Sequence, residues 1–267
     1  MQPETDIDAS LEITVLVSVG RHPITGRARR ADQDARAVEL ARGVSGAEVR
    51  LLHAGGQAAE SEAALRDYLG MGFDALTLVE QPEGADVLGA LAEAFDASPA
   101  QLVIGGERAE QGEGSGLLPY LLAERLGWPV VSGLAAVEGV EDGVATLLQA
   151  LPRGQRRRLR VRLPAIVTVD GAAPAPRQSA YGPARRGHLN AVVGSVTRDE
   201  EWVSWATQPA RKRPKRLKVV KAASARDRFK AAAAKAEGGG GQVLTEVSAE
   251  EGAEAILALL KAEGVLR

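Results

Sequence analysis

Between Ile13 and Leu126 the chain alternates, four times over, a short apolar run with a stretch of helical period. That alternation leaves few folds open. The apolar runs are Ile13–Val19, Val49–Ala54, Ala75–Val79 and Gln101–Gly105. The first, ITVLVSV, is almost continuously apolar and β-branched, the composition of a strand covered on both faces. The stretches between them predict helices over Asp32–Arg42, Glu60–Met71, Ala85–Phe95 and Leu117–Leu126. In the first helix Ala35, Val38, Leu40 and Ala41 face inward, Asp34, Arg36, Glu39 and Arg42 face mostly outward, and Asp32 or Asp34 is the expected cap. Gly127 ends the last helix, and Pro129 forbids its continuation. A βαβαβαβα order with right-handed crossovers predicts a doubly wound parallel sheet. Past Pro129 the period shortens. Val130–Val137, Val144–Leu151 and Arg158–Leu163 read as short strands, with turns at Asp142-Gly143 and Arg153-Gly154, which predicts an antiparallel hairpin. Leu163–Asp170 reads as a further buried strand, followed by a loop rich in Ala, Pro and Gly to Gly187.

Open parallel sheets bind ligands beyond the carboxyl ends of their strands, where the strand order reverses. Three loops lie at that edge: Ser18–His22, Ala54–Gln57 and Gly105–Gly116. The last is rich in glycine and leads into a helix. Such a loop brings backbone N–H groups to an anion at the positive end of a helix dipole, and it is equally a tight βα turn that needs glycine for its geometry. Ser115 can cap the helix or donate to a phosphate. The candidate cofactor contacts are Ser18, Ala54, Gly105, Arg108, Gly112, Gly114, Ser115 and Gly116. No GxGxxG with a following acidic residue is present, nor a GxxxxGK followed by Ser or Thr, so neither a dinucleotide fingerprint nor a P-loop is supported.

The absence of cysteine removes disulfides and thiolate chemistry, and the three histidines, His22, His53 and His188, have no metal-ligand spacing. The formal net charge of −2 over 267 residues gives no global bias toward nucleic acid. No apolar run reaches membrane-spanning length, and MQPETDIDAS lacks a signal-peptide pattern. A cytoplasmic chain without membrane insertion is expected. Arg153, Arg156, Arg157, Arg158, Arg160 and Arg162 form a basic cluster. It reads as a solvated edge guarded by charge rather than an anion site.

The expected division is a nucleotide-binding α/β domain over 1–190 and a basic linker with a C-terminal arm over 191–267. Trp202 and Trp205 form an aromatic pair. Pro209–Lys221 is dense in Arg and Lys and reads as a solvated linker, less readily as a nucleic-acid patch. Ser224–Ala236 predicts a basic amphipathic helix, Gly238–Gly241 a flexible break and Gln242–Val247 a short strand. Ser248-Ala249-Glu250-Glu251 then caps a last helix with an apolar stripe of Ile256, Leu257, Leu259 and Leu260.

Several segments together resemble the beta subunit of electron transfer flavoproteins. Val15–Arg21 is similar to the family's first strand, and Asp34–Ala41 to its Asp-Glu-Ile-Ala-x-Glu-x-Ala helix. Leu65-Arg66 with Leu69–Asp74, Leu122–Pro129, Leu163–Asp170 and Pro176-Arg177 follow the family's order. The resemblance implies a Rossmann-like, adenine-nucleotide-hydrolase-like α/β fold with an antiparallel hairpin and a C-terminal helical arm that packs on an alpha subunit. It implies an electron carrier rather than an enzyme, with FAD held mainly by the alpha subunit, AMP or, as in electron-bifurcating relatives, a second FAD in the glycine loop, and electrons received from a flavin-linked dehydrogenase. It also implies a docking loop after Pro176-Arg177, with Tyr181 as its anchor and Arg185 and Arg186 beside it. The chain departs from the family pattern in three places, one of them the arginines that replace the acidic stretch usually preceding the Leu-Pro-Ala strand. The loop Gly105–Gly116 is acidic where the family has Gly-Lys-Gln-Ala-x-Asp, which is expected to repel phosphate, and Thr25 stands where the family often has a tyrosine facing the flavin. A stand-alone adenine-nucleotide module of the universal-stress type is the alternative reading.

Overall fold

A computed structural model of the chain describes residues 10–56, 58–112, 114–206, 208, 224–226, 243–245 and 247–262. The chain divides into two units, residues 1–205 and 206–267.

The first unit is built on nine strands: β1 (Leu11–Leu16), β4 (Ala47–Gly55), β5 (Ala75–Glu80), β7 (Leu102–Gly106), β8 (Val130–Glu141), β9 (Val144–Ala150), β10 (Arg156–Arg162), β11 (Ala165–Val169) and β12 (His188–Val193). Their order across the sheet is β10-β9-β8-β11-β7-β1-β4-β5-β12. All pairs from β8 to β12 are parallel, whereas β9 and β10 form the expected antiparallel extension. Val15 of β1 faces Leu51 on one side and Ile104 on the other, and Ile104 faces Val167. These central side chains are inaccessible to water or nearly so, as expected for strands covered by helices on both faces.

Helices α1 (Asp32–Arg42) and α2 (Ala59–Leu69) cover one face through Ala35, Val38, Leu65 and Tyr68. Helices α3 (Val87–Ala97) and α4 (Leu118–Leu126) cover the other through Leu91, Phe95 and Leu122. Gly127 takes the left-handed conformation that closes α4, with φ 68°. The chain steps from β1 to β4 to β5 in one direction and then returns to β7 on the far side of β1. The reversal in strand order therefore lies between β1 and β7, and the loops after both strands open there.

Several elements differ from the sequence reading. The first strand ends at Leu16 rather than Val19. Val19–Arg21 instead forms β2, paired antiparallel with β3 (Ala28–Arg30), so most of the loop expected over Ser18–His22 is one strand of a hairpin. The cause is Ser18, whose backbone N–H is taken out of the sheet ladder by a side chain of α1. Neither Asp32 nor Asp34 caps α1. Its cap residue is Ala31, without a side-chain bond, and Asp34 points inward instead of outward. Ala85–Asp86 is not yet helix: it forms β6, paired with β13 (Thr197–Arg198), and Asp86 caps α3 by accepting from Leu88 N–H at 2.9 Å. The loop expected up to Gly187 contains a helical turn, α5 (Tyr181–Arg186). Strand β12, which runs across residue 190, was not foreseen. Helix α6 (Glu200–Ser204) follows, capped by Asp199, and the ring of Trp202 lies against Gly84.

On the edge strand β10 the side chains of Arg156, Arg158, Arg160 and Arg162 alternate with half-buried Leu159 and Val161. Arg158 forks onto Glu138, and Arg157 onto Gln149. Charge on an exposed edge discourages strand-to-strand association.

In the second unit, Ser248 and Glu251 form a reciprocal capping box. Ser248 Oγ accepts from Glu251 N–H at 3.2 Å, and Glu251 Oε2 accepts from Ser248 N–H at 2.8 Å. This opens α7 (Ala249–Ala262), along which Ile256, Leu257 and Leu259 are exposed and Leu260 is half-buried. Val243–Thr245 holds no strand. The linker Pro209–Lys221, the glycine break Gly238–Gly241 and most of the helix expected over Ser224–Ala236 lie outside the described residues.

Candidate functional site

Asp34 of α1 joins the two strands that flank the switch in strand order. Its Oδ2 accepts from Ser18 N–H at 2.7 Å and from the Ser18 hydroxyl at 2.5 Å, and its Oδ1 accepts from Gly106 N–H at 3.0 Å. Only glycine fits at position 106, because a Cβ there would stand 2.5 Å from Asp34 Oδ1. Asp34 is 5 % exposed. Burial pushes its carboxyl up to about 6, although the three donors oppose the rise. Beneath it, Tyr68 is fully buried; its hydroxyl donates to Ser18 O and accepts from Ala31 N–H, each at 2.8 Å.

The glycine loop is fastened to the same helix. Gln33 Oε1 accepts from Glu107 N–H at 3.0 Å. Glu110 turns back toward the β2–β3 hairpin. It takes two bonds from Arg29 at 2.9 and 3.0 Å, one from Arg21 N–H at 3.1 Å and one from Asp32 N–H at 3.0 Å. Its carboxylate thus caps α1 from a distance and is paired with the Arg29 guanidinium. Gln111 completes the junction: its Oε1 accepts from Arg21 Nε, and its Nε2 donates to Val19 O. Of the acidic residues of the loop, expected to repel a phosphate, Glu110 is paired with Arg29, and Glu113 lies outside the described residues.

Gly112, Gly114 and Gly116 all have positive φ, at 72°, 62° and 78°. Left-handed residues that alternate with right-handed ones form an anion-binding concavity, and the three glycines supply left-handed positions. Ser115 Oγ accepts from Leu117 N–H at 3.2 Å, just ahead of α4. Arg108 is exposed, with its Cβ close to Gly116.

Ser18, Gly105 and the glycine loop are brought together through Asp34 and Gln33. Ala54 lies at the carboxyl end of β4, next to Val79 of β5, on the same edge but beyond β1. His53 beside it is buried, and its Nδ1 donates to Val17 O at 2.8 Å. Burial lowers its basicity, so the ring is neutral and structural. Asp34, Gln33, Arg29 and Glu110 were not singled out as site residues. Asp34 had a signal: it lies four and seven residues before Val38 and Ala41, on the buried face of α1. Among the described residues, no cluster of three or more His, Asp or Glu could hold a metal ion, and no helix is long and apolar enough to cross a membrane.

The second expected surface lies elsewhere. Tyr181 opens α5 and is 77 % exposed. Arg185 Nη1 donates to its hydroxyl at 3.3 Å, and Arg186 is exposed. The loop beneath is tied down. Ala180 N–H donates to Gly70 O, Arg66 Nη1 reaches Ala184 O and Gly187 O, and Arg30 Nη2 reaches Arg177 O. Arg177 in turn forks onto Glu39 at 2.8 Å through both Nε and Nη2.

Comparison with known proteins agrees with the fold. The family described as "Electron transfer flavoprotein domain" matches residues 25–197. Over all 267 residues, 100 % of both chains, the sequence is 76 % identical to a protein of Chromohalobacter salexigens named "Electron transfer flavoprotein subunit beta". A family match over more than half the chain and a full-length relative at that identity lead to one conclusion: the chain belongs to the electron transfer flavoprotein family, among its beta subunits.

Proposed function

We propose that this chain forms the beta half of a heterodimeric electron carrier. Its alpha subunit holds most of an FAD, a flavin-linked dehydrogenase supplies the electrons, and a downstream acceptor removes them. The complex works in the cytoplasm. The chain itself contributes the wall of the site and a nucleotide-supported fold, not a catalytic side chain. The exposed stripe of α7 is the segment that packs on the alpha subunit.

The observation that carries the nucleotide part of this reading is the set of left-handed glycines at Gly112, Gly114 and Gly116, near an acidic residue paired with Arg29. The cradle fits a phosphate. Backbone N–H groups from these glycines and the Ser115 hydroxyl would hold it, with Arg108 at the rim, and Ala54 would border the base or ribose. The Ser18 hydroxyl hydrogen is already committed to Asp34, so Ser18 would serve as an acceptor. AMP is the nucleotide proposed.

Expression alone and with the alpha subunit tests the assignment. The isolated chain should be colourless, and the heterodimer yellow with bound FAD. A near-stoichiometric flavin spectrum on the isolated chain would contradict the division of the cofactor. A homodimer that binds AMP without an alpha subunit would favour the stand-alone nucleotide module. For the loop, Ser115→Ala should weaken AMP binding to the heterodimer by roughly 1.5–3 kcal/mol, the cost of one charge-assisted hydrogen bond. Calorimetry that finds no AMP binding to the wild-type heterodimer would mean a vestigial loop.

A further inference from the structure

The fork between β1 and β7 is closed by a single buried carboxylate. Asp34 receives three donors from two loops, Ser18 N–H, Ser18 O–H and Gly106 N–H, and among the described residues no cation forms an ion pair with it. We propose that Asp34 is a positioning residue at the switch in strand order: its ionised carboxylate holds the ends of β1 and β7 together and draws the Ser18 hydroxyl hydrogen inward, and a proton on that carboxylate releases both.

The argument is one of donors and acceptors. An ionised carboxylate only accepts, and all three contacts supply hydrogens to it. A proton on Oδ1, which accepts one hydrogen, leaves the bonds in place but makes the carboxyl a weaker acceptor; a proton on Oδ2, which already accepts two, requires one of the two Ser18 bonds to rearrange. The Ser18 hydroxyl does so most readily, because it alone can rotate and become an acceptor. The backbone N–H groups of Ser18 and Gly106 cannot, so they then bond more weakly or part.

The surroundings favour the proton over a cation as the controlling species. Tyr68 of α2 faces Asp34 with its phenol protonated, since burial raises it far from its ordinary range and its hydrogen is given to Ser18 O. Glu110 of the glycine loop adds a like charge that pushes Asp34 further up. Arg30 of β3 acts on Tyr68, while Arg29 is spent on Glu110. Burial places the midpoint for Asp34 at about 6, within reach of ordinary solution conditions.

This extends the nucleotide-loop reading, because Ser18 and Gly106 border that cradle, but its first test needs no ligand. Amide shifts of Ser18 and Gly106 are followed by NMR in the full chain between about pH 5 and pH 8. Both should move together through one inflection near the Asp34 midpoint. In Asp34→Asn, which keeps the shape and cannot titrate, both should stay flat. Ser18→Ala removes one bond that favours the anion, so the Gly106 inflection should move to higher pH. Separate or absent inflections in the wild type, an inflection surviving in Asp34→Asn, or no shift in Ser18→Ala would each overturn the proposal. In the heterodimer, AMP affinity should change more steeply with pH in the wild type than in Asp34→Asn, which keeps only the dependence due to the ligand phosphate's own second ionisation near about pH 6. Absence of AMP binding at every pH would count against the nucleotide reading alone, and the amide titrations would still decide the role of Asp34.

Discussion

At the scale of single residues, the candidate edge is governed by a few positions where only one side chain works. Gly116 is one. Its φ of 78° disfavours any L side chain, and an added Cβ would stand 2.9 Å from Glu107 O. Gly116→Ala should therefore destabilise the chain by more than about 1 kcal/mol, through both strain and contact. Gly143→Ala is the control, with a similar φ of 69° and nothing within 4 Å; its cost should be the smaller, and equal melting temperatures for the two would remove the contact from the argument. Asp34 contributes to stability with a defined sign. Its carboxyl is raised in the folded state from 3.8 to about 6. Between those values the folded chain holds a proton that the unfolded chain has lost. The contribution of Asp34 is thus fully present below about pH 4 and is lost as pH rises through about 6. Glu39 behaves oppositely: Arg177 lowers its carboxyl, so its contribution is lost as pH falls. The difference in unfolding free energy between wild type and Asp34→Asn should decline from pH 4 to pH 6 and then level off. A difference that is flat, or that rises, would show that Asp34 is not raised.

At the scale of elements, α5 shows how a short exposed turn is made rigid. Six residues cannot sustain a helix alone, and among them only Ala184 is buried. Arg66 compensates. Its Nε pairs with Glu62, and its Nη1 spans Ala184 O and Gly187 O. Arg66→Met keeps the apolar stem and loses these bonds, so it should cost about 1–2 kcal/mol and speed amide exchange in Tyr181–Gly187. Unchanged exchange there would assign the rigidity to the backbone tie between Ala180 and Gly70 instead. The contrast between what was legible and what was not follows from where each element gets its support. Helices α1 and α4 were legible because apolar spacing and a terminal glycine are local signals. The alternating strands were legible because continuous β-branched runs declare burial on two faces. The β2–β3 hairpin was not, since Val-Gly-Arg against Ala-Arg-Arg has no apolar alternation; it is held by Glu110, some 80 residues away in the chain. Strand β12 was hidden because it is exposed almost throughout and exists by pairing with β5. The glycines of the candidate site could be read directly. The acidic residues could not, because a carboxylate in sequence does not reveal whether a distant guanidinium or backbone N–H will claim it.

At the scale of the whole molecule, the proposed electron-carrier role raises the question of how this chain would meet a dehydrogenase. The proposed contact is Tyr181, which projects from a turn held to α1 and α2 by Arg30, Arg66, Arg177 and the Ala180–Gly70 bond. A rigid base lowers the entropy lost on docking. The tyrosine ring offers a large area, and its hydroxyl, already touched by Arg185, can find a partner at the rim of an interface. Arg185 and Arg186 add positive charge beside it, which would steer an acidic partner and raise the encounter rate. The competing account, a tyrosine folded back onto its own sheet, is opposed by its 77 % exposure in this chain. Tyr181→Ala should therefore leave FAD content and melting temperature of the heterodimer nearly unchanged. It should weaken productive docking with the cognate dehydrogenase by at least about 2 kcal/mol if Tyr181 is an interface hot spot. Steady-state reduction by purified dehydrogenase measures that loss. Replacing Arg185 and Arg186 together by Gln should instead act mainly on the association rate, and its effect should fade as salt is raised. A rate of reduction that survives Tyr181→Ala while the melting temperature drops would make this side chain part of the fold and move the docking surface elsewhere.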